Sequence, residues 1–366
     1  MPDKATHRQL VYLDLTHAGR HVTGLERISI EQFEQVSFTG ARIVPVRARG
    51  VLSMILCQQL LLPLLALLKP SAQFVFPGFP PSPVFALIPH RVWMYVHDTF
   101  LITRKSDLSA KARFYMAPQF ACALRHLSRF MVNSEKTREE VRQFVSPSAT
   151  VMLYRPSVAN VFLLSSQGRP ERTERPRPLR LAALGTIEPR KNYSAALAIL
   201  ETLRASGDEN AQLHIIGRSG WGENAARIAD HPGVVIHGYL PADGVKEQLE
   251  AADIYLCTSH DEGLGLPLLE AQYAGLAVVA PDAPVFRQVL GTSATFINSA
   301  DAAGAARAIT SLISQPGWRA ATTAAALANV ARWNEAAAKD LAGARMIFAA
   351  TDRQANAAAP APARAP

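Results

Sequence analysis

From residue 179 onward the sequence repeats one phrase: a short apolar run of strand type, a stretch of helical pattern, then another apolar run. The runs fall at 179–184, 213–216, 234–236, 254–257, 277–280 and 295–297. Runs this short and apolar are buried on both faces, so they predict a parallel sheet with helices above and below it. Ligands of such sheets bind beyond the carboxyl ends of the strands. The residues just after each run are therefore the functional candidates.

Ahead of this pattern the apolar rhythm stops. Residues 165–178, SSQGRPERTERPRP, carry proline, arginine and glutamate instead and predict a linker. The first half repeats the same grammar more loosely. An apolar run at 10–15 is followed by a glycine-containing loop at 16–24 and a helical pattern from Leu25, and strands recur at 92–96 and 130–132. Ser134 stands where it can cap a helix over 135–144. At about 100–200 residues per domain, 366 residues predict two cores. The expected division is a first domain over 1–164, the linker, a second domain over 179–332, a terminal helix over 333–349 opening at Trp333, and an Ala- and Pro-rich tail over 350–366 with too little to pack.

Composition narrows the function classes. With 49% hydrophobic and 19% charged residues the chain is globular. Cys57, Cys122 and Cys257 lie far apart, forming neither a disulfide framework nor a CxxC pair, and predict reduced core residues in a cytosolic protein. The first ten residues lack the apolar stretch and cleavage site of a secretory signal. A formal charge of +8 attracts nucleic acid, anionic membranes and phosphate ligands alike. Much of that charge sits in 169–180, and no basic stripe interleaved with aromatics marks a nucleic-acid surface, so no nucleic-acid partner is expected. Segment 51–68 is apolar apart from Ser53, Gln58 and Gln59 and approaches the length of a membrane span, although Pro63 interrupts it. Three readings stand for it: a span, a buried core helix, and a helix docking into one leaflet.

The chemistry concentrates after the run at 254–257, in SHDEGLGLPLLEA over 259–271. Gly263 and Gly265 let the backbone turn tightly and approach a ligand, and Pro267 suits a first helical turn. The amides of that turn suit a phosphate. Glu262 lies in the loop and Glu270 inside the helix. Carboxylates repel phosphate, so their natural partners are hydroxyls, such as those of a sugar and a ribose. Gly275 is placed to end the helix. A second motif, LGTIEPRKN over 184–192, puts Lys191 as a point charge, Arg190 as a planar fork and Asn192 as a helix cap after the first strand of the second domain. In the first half, Gly24 opens a helix and His97-Asp98 follow a strand directly.

Residues 259–271 resemble the paired-glutamate signature of the family 4 retaining glycosyltransferases, with Leu264 where phenylalanine is usual. The resemblance implies two Rossmann-like α/β domains facing a central cleft, the GT-B architecture. It implies a donor site of Glu270, Lys191, Arg190, Gly24 and the Gly263, Leu264, Gly265 and Leu266 backbone, with Glu262, His97 and Asp98 as catalytic residues. Many members carry an arginine at the position of Thr186, for which Arg190 is the expected substitute. The implied reaction is metal-independent transfer of a hexose, with mannose from GDP-mannose favoured. No cofactor is implied beyond the nucleotide sugar, and the acceptor is a glycan or lipid-linked sugar of cell-envelope polysaccharide. The expected location is the cytoplasm, with peripheral contact on the inner leaflet. A related sugar-nucleotide epimerase and a non-enzymatic basic membrane- or nucleic-acid-binding protein are the alternatives.

Overall fold

The structure, a computed structural model, describes residues 8–19, 24–105, 108, 112–166, 178–218 and 225–349. The chain forms two units, Met1–Pro156 with Ala336–Pro366, and Ser157–Glu335.

The first unit holds strands β1 (Gln9–Leu15), β2 (Ala41–Arg47), β3 (Gln73–Phe76), β4 (Val92–Val96), β5 (Arg129–Val132) and β6 (Thr150–Leu153). They form a parallel sheet in the order β2-β1-β3-β4-β5-β6. The chain steps from β1 outward to β2, then returns to lay β3 on the other side of β1, so the order reverses between β1 and β3. On one face, Leu62, Phe120, Leu124 and Val141 from three crossover helices pack on Phe74, Phe76, Val92 and Phe130. Each such side chain, fully buried, stabilises the fold by about 1.5–3 kcal/mol. Elsewhere in the unit Phe33 meets the rings of Phe38, Tyr95 and Tyr154, and the Tyr154 hydroxyl donates to the Gln32 carbonyl at 2.6 Å. Ser134 caps the helix Glu135–Arg142 as its sequence predicts, accepting from the Thr137 amide at 3.1 Å.

The second unit holds β7 (Arg180–Leu184), β8 (Gln212–Ile216), β9 (Val234–Gly238), β10 (Ile254–Leu256), β11 (Ala277–Pro281) and β12 (Ala294–Ile297). Their parallel order is β12-β11-β10-β7-β8-β9, so here the reversal lies between β7 and β10. Each unit is thus a doubly wound parallel sheet, and each has a switch point where neighbouring strand ends part to leave a crevice.

Three expectations need correction. The first core ends at Pro156, not at 164: Val158 and Leu164 are buried in the core of the second unit, and the Tyr273 hydroxyl donates to the Val158 carbonyl at 2.6 Å. The last helix runs Trp318–Ala344, so Trp333 lies well inside it instead of opening it. Its earlier residues are helical because their polar groups find partners in the second unit, Asn329 on Gln272 at 2.7 Å and Arg332 on the Val289 carbonyl at 2.9 Å. Beyond the division at Ala336 the same helix carries Asp340, which holds Arg155 of the first unit at 2.6 Å. Finally, 51–68 is one helix despite Pro63, with its buried side in the first unit's core. The proline follows a stretch of wider helical turn, Cys57–Leu61, which is where an extra residue absorbs a missing amide. Residues 167–177 of the expected linker, and the tail from residue 350, lie outside the described residues.

Candidate active site

In the second unit the switch point brings the loop after β7 against the loop after β10. On its other side the loop after β7 presses against the end of β8, which two glycines permit: a Cβ on Gly217 would fall 2.0 Å from the Gly185 carbonyl oxygen, and Gly185 itself has φ +137°. The loops are then stitched together. Thr258 donates to the carbonyls of Lys191 and Asn192 at 3.1 and 2.9 Å, and the His260 amide donates to the Arg190 carbonyl at 2.9 Å. Asn192 does precede the helix Tyr193–Ala205, but it makes no side-chain cap bond. It turns the chain by its left-handed backbone, φ 51°, a conformation asparagine tolerates better than most residues.

Glu262 is the centre of this junction and is 8% exposed. Lys191 Nζ donates to its Oε1 at 2.7 Å, Ser259 Oγ to the same oxygen at 2.8 Å, and Arg190 Nη1 to Oε2 at 2.6 Å. Burial alone would push the carboxyl up. The Lys191 and Arg190 charges, with hydrogen bonds from Lys191 and Ser259, outweigh it and hold the carboxyl at about 2. Glu262 is ionised across the physiological range. Arg190 also donates to Glu188 at 2.6 Å and to the Asp261 carbonyl at 3.2 Å. The guanidinium expected to fork onto a ligand is thus turned inward, where it fixes Glu262 between two neighbours.

The rest of the loop follows the sequence reading. Gly265, φ +82°, starts the helix Leu266–Gln272 with Pro267 in its first turn, and Gly275, φ +67°, closes the turn after it. Leu264 and Gly263 are buried, Leu264 in the core, while Leu266 is half-buried. Glu270 is 4% exposed on the same short helix. A cavity of about 20 Å³ lined by Lys191, Tyr193, Cys257, Ser259, Glu262 and Gly265 has room for one water. Among the described residues no group of three or more His, Cys, Asp or Glu could hold a metal ion. Of the glycine loop after β8, Ser219–Trp221 lie outside the described residues; Arg218 stacks over Tyr239 at 5.3 Å.

The first unit's switch point is built differently. His97, at the end of β4, has its Nε2 2.7 Å from the Pro77 carbonyl, so Nε2 carries the proton and donates. Burial lowers its pKa to about 4, the Pro77 carbonyl opposing, so the ring is neutral at physiological pH. Its one N–H is spent. What the structure leaves to a ligand is Nδ1, an acceptor. Asp98 Oδ1 accepts from the Phe100 amide at 3.0 Å. Gly24 is the first residue of the helix Gly24–Ser29, with open space where a Cβ would stand.

His17 was missed in the sequence. It follows β1, stacks on Phe79 at 5.2 Å, lies 3.2 Å from the Ser29 hydroxyl, and is lowered to about 4 by burial and then by His97. The signal for it was its position just past a strand, the rule already applied to His97. Ser259 and Glu188, also missed, stand inside the quoted motifs but have no chemistry until the loops meet.

Residues 167–332 match the family model of the glycosyl transferases group 1. A serotype-specific mannosyltransferase of Escherichia coli, WbdA, is 26% identical over 209 residues, covering 52% of this chain and 26% of that protein. A phosphatidyl-myo-inositol mannosyltransferase of Mycolicibacterium smegmatis is 33% identical over 152 residues, covering 40% and 39%. Neither relative is matched over half its length. The crystal structure of WaaG, a glycosyltransferase involved in lipopolysaccharide biosynthesis, superposes at TM-score 0.62 with 15% identity, over 93% of this chain and 99% of its own. The fold is that of the GT-B glycosyltransferases.

Proposed function

We propose that this protein is a retaining, metal-independent hexosyltransferase of the family 4 type, moving mannose from GDP-mannose to a glycan or lipid-linked acceptor of cell-envelope polysaccharide. The observation that carries the reading is the junction of Lys191, Arg190 and Ser259 on an ionised Glu262 at the β7/β10 switch point. The mannosyltransferase relatives and the group 1 match over 167–332 support it.

Each residue then has a task. Lys191 exchanges its carboxylate contact for the donor diphosphate and offsets the charge that grows on the leaving oxygen. Glu262, still held by Arg190 and Ser259, accepts from hydroxyls of the donor sugar, and Glu270 accepts from the ribose. His97 Nδ1 accepts from a sugar hydroxyl. The acceptor oxygen bonds to the anomeric carbon on the face from which the diphosphate departs. As the carbon–oxygen bond to the diphosphate breaks, its electron pair stays with the leaving oxygen, which takes the acceptor's proton.

Thermal shift against a panel of sugar nucleotides tests the donor, since a ligand at 100 times its Kd adds about 2.7 kcal/mol of stability. GDP-mannose is expected to give the largest shift, transfer to persist in excess chelator, and the product to keep the donor's anomeric configuration by NMR. A flat panel sinks the reading. Loss of activity in chelator, restored by manganese, removes metal independence, and an inverted product removes retention.

A further inference from the structure

The helix Val51–Leu68 has two unlike sides. Met54, Gln58, Leu62 and Ala66 are buried, and Gln58 donates to Asp14 and Thr16 of the first strand and its following loop at 3.1 and 2.9 Å. Leu52, Leu56, Leu60, Leu64 and Leu67 lie one turn apart along the helix and are exposed, Leu67 to 79%. No charged residue occurs in the helix, whose mean hydropathy is 2.2. At 1.5 Å per residue the row extends over about 22 Å. Folded monomers rarely leave so long an apolar surface in water.

A membrane span would have to strip Gln58, Leu62 and Ala66 from the core, so the helix stays flat on its unit. What can cover its outer side is set by the surrounding charge. From Gln35 to His97 the chain carries no aspartate or glutamate; of its cations Arg91 is buried and Arg47 is paired with Glu34 at 2.6 Å, which leaves Arg42, Arg49 and Lys69 exposed. Arg49 and Lys69 flank the two helix ends and are exposed. Leucines on one side of a helix with cations at its ends match the layering of an anionic leaflet, acyl chains beneath phosphate.

We infer that the leucine face of Val51–Leu68 docks the first unit onto the surface of an anionic bilayer. The inference stands apart from the glycosyltransferase reading, and its readout uses no activity.

Flotation with vesicles of phosphatidylcholine alone, or mixed with phosphatidylglycerol, tests it on the full chain. Wild type is expected to float with the anionic vesicles and less so as salt rises. The variant Leu56→Asp/Leu60→Asp/Leu64→Asp should melt as cooperatively as wild type and lose about a hundredfold or more in partitioning. Arg49→Glu/Lys69→Glu should weaken anionic binding only. Leu62→Asp, on the buried side, should unfold the unit. Wild type that never floats, or a triple variant that floats like it, overturns the inference. So does a triple variant that fails to fold, which marks a face packed in solution. Equal binding to both vesicle types removes the anionic requirement. A wild-type dimer dissolved by the triple variant, with no flotation, assigns the face to a second copy of the chain instead.

Discussion

The two switch points share a topology and differ in their electrostatics. Between β7 and β10 two acids and two bases, Glu188, Glu262, Arg190 and Lys191, are locked in contacts of 2.6–2.7 Å. Beyond β1 and β4 of the other unit stand two histidines held neutral by burial. A charged junction can trade one of its ion pairs for a bound anion, whereas a neutral one can only exchange hydrogen bonds with hydroxyls. Under the proposed function, that asymmetry suits the second unit, and not the first, to the nucleotide diphosphate.

Removing the central carboxylate should have the largest effect. Glu262→Ala leaves Lys191 and Arg190 half-buried without their shared partner, so kcat should fall about 10²–10³-fold and stability by about 3 kcal/mol. Wild-type turnover in this variant would show that the junction is purely structural. Lys191→Ala comes next. It should reduce kcat/KM for the nucleotide sugar about a hundredfold while leaving melting closer to wild type, because Glu262 keeps Arg190 and Ser259. An unchanged kcat/KM would move the diphosphate elsewhere.

Acid should distinguish the two junctions. The folded pKa values of His17 and His97 are lowered from 6.5 to about 4, so the folded first unit binds fewer protons than its unfolded chain. Their contribution is complete above pH 6.5 and is lost as pH falls toward 4, on the order of 1–3 kcal/mol. Glu262 is lowered from 4.5 to about 2, so its contribution is complete above 4.5 and lost only below that. Hydrogen exchange followed against pH should see the loops after β1 and β4 loosen before those after β7 and β10; His214 of β8, lowered to about 4 by burial and then by Arg180 and His237, titrates in the same window as the first unit's histidines and loosens its own strand with them. His17→Asn/His97→Asn should flatten the upper window and Glu262→Gln the lower; a single simultaneous transition would break the contrast. The smallest effect is expected from Glu270→Ala, about a tenfold rise in KM for the donor with kcat little changed, read by steady-state kinetics. A kcat loss larger than that of Glu262→Ala would exchange the roles of the two glutamates.

Much of this was legible in the residues. The six strands of the second sheet stand where the apolar runs stand, because strands buried on both faces need unbroken hydrophobic sequence. Three strands of the first unit escaped. β2, ARIVPVR, buries only Val46 and contains Pro45, which an edge strand accepts; β6 is the other edge, and β3 is only four residues long. The glycines, Pro267, Glu262 and Lys191 were readable because loop chemistry at a strand's carboxyl end is local in sequence.

What the sequence alone determined, then, is the periodic part: the second parallel sheet with its helices, three strands of the first, and the residue types after each of these strands. What only the tertiary structure decided are relations between segments far apart in the chain. Arg190 meets Glu262 across 72 residues and binds inward, Gln58 meets Asp14 across 44 and fixes which side of an apolar helix is buried, and the Pro77 carbonyl accepts the hydrogen bond from the one N–H of neutral His97 across 20. Periodicity records what each segment must hide from water. It holds no record of which buried charge or donor another segment will bring to it, because that is settled by strand order, and strand order exists only once the sheet has formed.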